Sequence, residues 1–268
     1  MDNLSESKSR RLFLYHQKQY HRRIRILRWV ILIAFLLLWE LCAAFEWIDV
    51  FIFSSPSRLS ITFVDMLKHQ HLLRHIGYTL GETLISFTIS TILGILLAMI
   101  LWWWPFLHRV TEPYWVVLNS LPKSALAPIL IVWFGNTVRT TIITSISLTI
   151  VATILSTLTG FHEIERDKLR LVYSLGGNKL QVLTKVLLPA NIPVIMNILR
   201  VNIGLSLIGV IIGEFLSAKN GLGYLIIYGS QIFKMNWVLL SILLLCLIAM
   251  ALYLALNYLS TRITKRFQ

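Results

Sequence analysis

Apolar residues in this chain do not alternate with polar ones but run continuously. Residues 83–107 and 235–261 contain no Lys, Arg, Asp or Glu, and neither does 140–161. Residues 29–47 carry only Glu40 and Glu46 as charges. Two further runs are interrupted, 114–134 by Lys123 and 192–216 by Arg200 and Glu214. A hydrocarbon core of about 30 Å takes about 20 helical residues, and only helices or closed barrels satisfy their backbone in lipid. Unbroken runs of this length predict helices. The expected fold class is therefore all-α integral membrane, with six transmembrane helices.

Composition agrees with that pattern. The chain is 268 residues, 56% hydrophobic and 14% charged, against about 25% charged in a soluble domain. The net charge of +13 would suggest nucleic acid in a soluble protein. Here the charges lie between apolar runs, where they set orientation, so no nucleic-acid partner is expected. Six spans put both termini on one side of the lipid bilayer. The N-terminal arm (residues 1–28), the segment between spans four and five, the turn after span two and the C-terminus hold 17 Lys and Arg together, and the opposite loops hold six. This predicts cytoplasmic termini in a multi-pass membrane protein, with residues 29–268 as the membrane domain. The first apolar run lacks a small-residue cleavage site, so a cleaved leader is not expected. Cys42 and Cys246 lie in apolar runs and suggest neither disulfide nor metal. In the outward loop 49–76, a short amphipathic stretch carries His69, His71 and His75, which fit solvated helix faces better than a ligand cluster.

One polar segment, 162–189, has helical patterning. Leu169, Val172 and Leu175 share a face, and Gly176-Gly177 lets the chain leave the helix. Asn178 caps a second helix with Gln181 three residues on, as in a capping box. Leu180, Leu183 and Leu187 then form a stripe that stops at Pro189. The prediction is a cytoplasmic helix–turn–helix between spans four and five, whose stripe meets lipid or another protein.

Its spacing resembles a motif of permease subunits of binding-protein-dependent ABC importers: Glu-Ala-Ala, three residues, Gly, nine residues, Ile-x-Leu-Pro. Gly176 is followed by nine residues and then Val186-Leu187-Leu188-Pro189, while Arg170-Leu171-Val172 replaces the leading triplet. Residues 120–135, 207–214 and 221–226 resemble further blocks of the nitrate/sulfonate/taurine-type branch, so that about 70–265 follows the pattern. The resemblance implies a dimerising permease, with a second copy of the chain as the expected partner. It also implies ABC ATPase subunits, which receive a coupling helix, and an extracytoplasmic substrate-binding protein. Tyr173, Ser174, Leu175, Gly176, Gly177, Lys179 and Pro189 become the expected ATPase-docking residues, and small anions such as sulfonates, taurine or nitrate the expected cargo.

Nothing in the chain predicts catalysis or a cofactor. It holds no Gly-x-x-x-x-Gly-Lys-Ser/Thr loop, no zinc-protease helix and no Gly-x-Ser-x-Gly. Ionisable residues inside spans are functional candidates instead. Lys123, flanked by Pro122 and Pro128, either faces a pore or pairs within the bundle; Asn119, Ser120 and Ser124 share its stretch. Ser206 and Glu214 complete the expected substrate pathway, with Glu214 open to a structural role. Arg200 fits snorkelling, small residues such as Gly204 and Gly209 fit close packing or equally room for substrate, and Trp102-Trp103-Trp104 fits an interfacial belt. The alternative reading is a self-sufficient channel or ion-coupled transporter, which leaves the motif spacing unexplained.

Overall fold

The computed structural model describes residues 2–217 and 219–264; side chains at 2–14, 16, 18, 21, 25, 123, 124, 217, 263 and 264 fall outside the described ones. Lys265 and Arg266, part of the expected inward charge, therefore lie outside the described residues, as do the side chains of Lys123 and Ser124. The described residues form helices and turns without a strand. They divide into two compact units, Met1–Val64 and Asp65–Gln268.

The first unit is built on α1 (Asp2–Ala44). Its apolar part, Arg22–Ala44, has only 6% of its most apolar window buried, and Ile31, Phe35 and Leu38 stand exposed. An apolar helix with no covered face belongs in lipid. Glu40 near its end accepts from Ser57 N (3.0 Å) and Ser57 Oγ (2.8 Å). The Asp49 side chain caps α2 (Val50–Phe53) through Phe51 N, and α3 (Pro56–His69) begins in this unit.

The second unit is organised around three long helices. α4 (Leu72–Trp103) is followed by α5 (Pro105–Ser120), a 3₁₀ turn (Lys123–Leu126) and α6 (Ala127–Phe134). Then come α7 (Val138–His162), α8 (Arg166–Ser174) and α9 (Lys179–Val182). A π turn (Leu183–Leu187) and α10 (Leu188–Ala190) lead into α11 (Ile192–Ser217), α12 (Leu222–Gln231) and α13 (Met235–Thr264). Among the described residues, five helices are long and apolar enough to cross a bilayer. The crossing expected at 114–134 is not one helix. Pro122 disfavours helical backbone at the residue before it, and Leu121 is extended (φ −63°, ψ 138°), so α5 ends there.

α4, α7 and α11 pack through small and hydroxylated residues, as helices do in lipid, where apolar side chains gain little by leaving it. A Cβ on Gly209 would stand 2.5 Å from Ser145 Cα, and one on Gly213 2.7 Å from Thr141 Cα. Gly204 meets nothing within 4 Å, so the close approach expected there is absent. Several buried hydroxyls are satisfied within their own helix: Thr83 Oγ1 donates to the Thr79 carbonyl (2.7 Å) and Thr153 Oγ1 to that of Thr149 (2.8 Å). Asn202 Nδ2 donates to Thr153 Oγ1 (2.7 Å), tying α11 to α7. Arg200 is bonded rather than simply snorkelling, with Nη2 donating to Ser260 Oγ on α13 (2.6 Å). An apolar core formed by Ala98, Leu101, Ile154, Leu158, Phe161, Val182, Leu183 and Leu187 closes one end of this bundle.

Candidate functional site

The turn between α8 and α9 is closed by backbone hydrogen bonds at both of its glycines. Gly176 N donates to the Tyr173 carbonyl (3.0 Å) and Gly177 N to that of Val172 (2.8 Å). Gly176 between them has φ +81°. These paired bonds and the left-handed residue make a Schellman stop, which satisfies the last carbonyls of α8. A Cβ on Gly176 would meet nothing within 4 Å, whereas one on Gly177 would stand 2.5 Å from Val172 Cγ1. Gly176 is thus required for its conformation and Gly177 for its space. The next helix opens with the expected capping box: Gln181 N donates to Asn178 Oδ1 and Asn178 N to Gln181 Oε1, both at 2.9 Å.

The apolar stripes divide. Val182 and Leu187 are fully buried and Leu183 nearly so, against α4 and α7. The expectation that this stripe faces outward to lipid or another protein is corrected: it is part of the chain's own core. Leu169 and Val172 pack against the same cluster. What remains open is Leu175, 79% exposed, with Tyr173, Leu171 and Leu180 about it, and Ser174, whose hydroxyl donates to the Leu171 carbonyl (2.9 Å). Pro189 does not stop the chain either. With no N–H and a ring that crowds the carbonyl four residues back, it blocks regular α-helix. The backbone widens instead into the π turn, closed by Leu188 N on the Leu183 carbonyl, and continues toward α11.

Lys179 is engaged inside the chain. Its Nζ donates to the carbonyl of Trp103 (2.5 Å), the last residue of α4, and lies 5.5 and 5.3 Å from the ring centroids of Trp102 and Trp103. A cation on the final carbonyl of a helix compensates the negative end of its dipole. Trp102 and Trp103 also pack on the apolar core, so of the expected interfacial belt Trp104 is the exposed member. The charges on α8, Lys168 with Glu165 (3.2 Å) and Arg170 with Asp167 (3.4 Å), are solvent-exposed pairs that add little.

The expected pathway residues separate into two settings. Asn119 and Ser120 are exposed at the end of α5, where Ser120 Oγ donates to the Val116 carbonyl (2.8 Å). Ser206 is buried in the α7–α11 seam, where its carbonyl accepts from Ser145 Oγ (2.8 Å). Its own hydroxyl has no hydrogen-bond partner among the described residues. Glu214, 1% exposed, serves α12. Its Oε2 accepts from Gly223 N (2.6 Å) and its Oε1 from Thr79 Oγ1 (2.7 Å), while Thr79 Oγ1 accepts from Leu222 N (2.9 Å). Two N–H groups that a helix start leaves unbonded are thus satisfied by a hydroxyl and a carboxylate, at the end where the helix dipole favours negative charge. Gly221, with φ +107°, has no room for a side chain because its Cβ would overlap the Glu214 carboxylate. Sequence reading missed Thr79 altogether and took Trp103 only as a member of an interfacial belt. Of His69, His71 and His75, His75 is partly buried and accepts from Gly221 N at Nδ1 (3.0 Å). Among the described residues no group of His, Cys, Asp or Glu is placed to hold a metal ion.

Comparison with known proteins agrees with this architecture. The family described as binding-protein-dependent transport system inner membrane component matches residues 90–268. A formylaminopyrimidine transport permease protein, ThiX, of Halalkalibacterium halodurans is 29% identical over 189 residues, 70% of this chain and 75% of that protein. The taurine transport system permease protein TauC of Escherichia coli is 27% identical over 71% of this chain and 70% of its own length. A solved structure of the MetNI methionine ABC transporter in an inward-facing conformation superposes with TM-score 0.62 at 20% identity, covering 75% of this chain and 97% of that one.

Proposed function

We propose a mode of action for this chain, which belongs to the inner membrane components of binding-protein-dependent transport systems and is the permease subunit of an ABC importer: the α8–α9 turn is its coupling element. In this reading both termini and segment 162–189 are cytoplasmic, residues 1–28 are a basic arm, and 29–268 is the membrane domain. Two copies of the chain form the pathway. A separate ATPase subunit grips Tyr173, Ser174, Leu175 and Gly176, and an external binding protein delivers the substrate. Gly177, Lys179 and Pro189 act one step back, holding the turn to the bundle.

The observation that carries the proposal is the division of the segment's apolar residues. Leu175 and Tyr173 stand open on a turn held by the paired Gly176 and Gly177 backbone bonds, while Val182, Leu183 and Leu187, a few residues on, are fastened into the core between α4 and α7. A push on Leu175 would therefore be delivered to two long helices rather than lost in a loop. Relatives named for formylaminopyrimidine and for taurine support a small polar cargo. We assign it to small anions such as sulfonates, taurine or nitrate on account of Lys123 in the broken crossing, with Asn119, Ser120, Ser124 and Ser206 along the path.

The test is a single cysteine at Leu175 in a chain with Cys42 and Cys246 replaced by Ser, cross-linked in membranes holding the whole transporter. The expected product joins permease to ATPase. Gly176→Arg, which finds open space but strains the left-handed backbone at that position, should abolish ATPase co-purification while leaving the permease in the membrane, and Leu175→Asp, which leaves the backbone as it is, should do the same. Cross-links formed only from the external side, or undiminished co-purification, would refute the assignment.

A further inference from the structure

A cavity of about 310 Å³ opens between the start of α4, the α11–α12 turn, α12 and the first turn of α13, a volume at the lower end of small-molecule sites. It contains none of the pathway residues named above. One side is cationic: Arg74 and Lys219 line it together with His69 and His71. His71 adopts φ +49° to turn the chain into α4, a left-handed backbone that few residues other than glycine accept. The other side is a series of rings. His75 stacks on Tyr224 (centroids 6.0 Å, planes 11° apart), Tyr224 on Tyr228 (5.6 Å, 15°), and Tyr228 leans on Trp237 (6.2 Å, 40°).

The positive charge is not neutralised locally. No Asp or Glu is among the described lining residues. Asp65 lies 4.0 Å from His69, and Glu214 is held by Thr79 and Gly223. Neither Arg74 nor Lys219 forms an ion pair among the described residues; Arg74 lies over the Tyr78 ring at 5.6 Å. His75 is fixed by the bond from Gly221 N, which keeps the first ring of the series in place.

We infer that this cavity binds a small organic anion with a planar ring, its anionic group on Arg74 and Lys219 and its ring on Tyr224 and Tyr228. Guanidinium and ammonium groups recognise sulfonate or carboxylate oxygens, and offset rings recognise flat π systems. A ligand with only one of the two features gives up half of the site.

The experiment uses the full chain in phosphatidylcholine nanodiscs, without ATP or partners, and titrates benzenesulfonate calorimetrically. Benzyl alcohol and methanesulfonate are the probes lacking charge and ring. Benzenesulfonate should bind, with each control at least about tenfold weaker. Arg74→Gln and Tyr224→Leu should each raise Kd about tenfold. Tyr224→Phe, which keeps the ring, and Arg262→Gln, on a distant tyrosine, should bind as the wild type. The inference is overturned if benzenesulfonate does not bind up to about 1 mM, if benzyl alcohol binds equally well, or if Arg74→Gln is indistinguishable from wild type.

Discussion

Glu214 shows how a charge inside a membrane helix is made tolerable. Both oxygens accept hydrogen bonds from donors that would otherwise be buried and unpaired, one from Thr79 and one from the start of α12. Its value lies less in attraction than in what its loss would strand, since an orphaned buried donor costs about 1–3 kcal/mol. Glu214→Leu is expected to destabilise the chain by about 2–4 kcal/mol, with Glu214→Gln nearer to wild type because its amide oxygen can still accept from Gly223. Thermal unfolding in detergent measures both, and equal stability of the leucine variant would remove the structural role. In the sequence Glu214 was recognisable as an ionisable residue in an apolar run. Its partner Thr79 stands 135 positions away and was not, because a threonine in an apolar helix is usually satisfied by its own backbone. Gly221 and Gly223 belonged to a block of the family resemblance, yet only the folded chain shows that the carboxylate fills the space beside Gly221.

The proposed coupling segment was the most legible element, because its determinants are local. Gly176, Gly177, Asn178 and Gln181 specify a stop and a start through bonds no more than five residues long, and each bond is present. The periodicity of Leu183 and Leu187 was equally visible, but periodicity identifies an apolar face and not its partner, which is the core between α4 and α7. Pro189 misled for a related reason: proline forbids regular α-helix, and the chain met that condition with a π turn instead of a break. Lys179 resembled a charge flanking a docking surface, whereas it links the segment to the end of α4. Lys179→Met keeps the stem against the Trp rings but removes the bond to the Trp103 carbonyl. ATPase co-purification should persist, while ATP hydrolysed per substrate imported by reconstituted transporter rises several-fold. An unchanged ratio would show that the buried leucines alone transmit the stroke.

For the molecule as a whole, apolar runs predicted three of the long helices closely and two with shifted ends, 29–47 found as Arg22–Ala44 and 83–107 as Leu72–Trp103. They failed at 114–134, where hydropathy averages over Pro122 and cannot register that Leu121 must be extended. That failure is informative, because irregular backbone is tolerated at membrane depth only where protein or water, not lipid, satisfies it. In the proposed arrangement the 3₁₀ turn beginning at Lys123 would lie against other protein or a hydrated path, and two copies of the chain facing each other there would supply both. A cation at that point would favour anions and repel cations over several ångströms of low-dielectric surroundings. Lys123→Gln is then expected to lower uptake of an anionic substrate at least about tenfold, as for one lost charge-assisted contact. Assembly with the ATPase should be unaffected, because the coupling segment lies on other elements. Lys123→Arg, which keeps the charge, should retain most of the uptake. If glutamine and arginine variants transport alike, the charge has no part in selection, and the cargo is as well read as neutral.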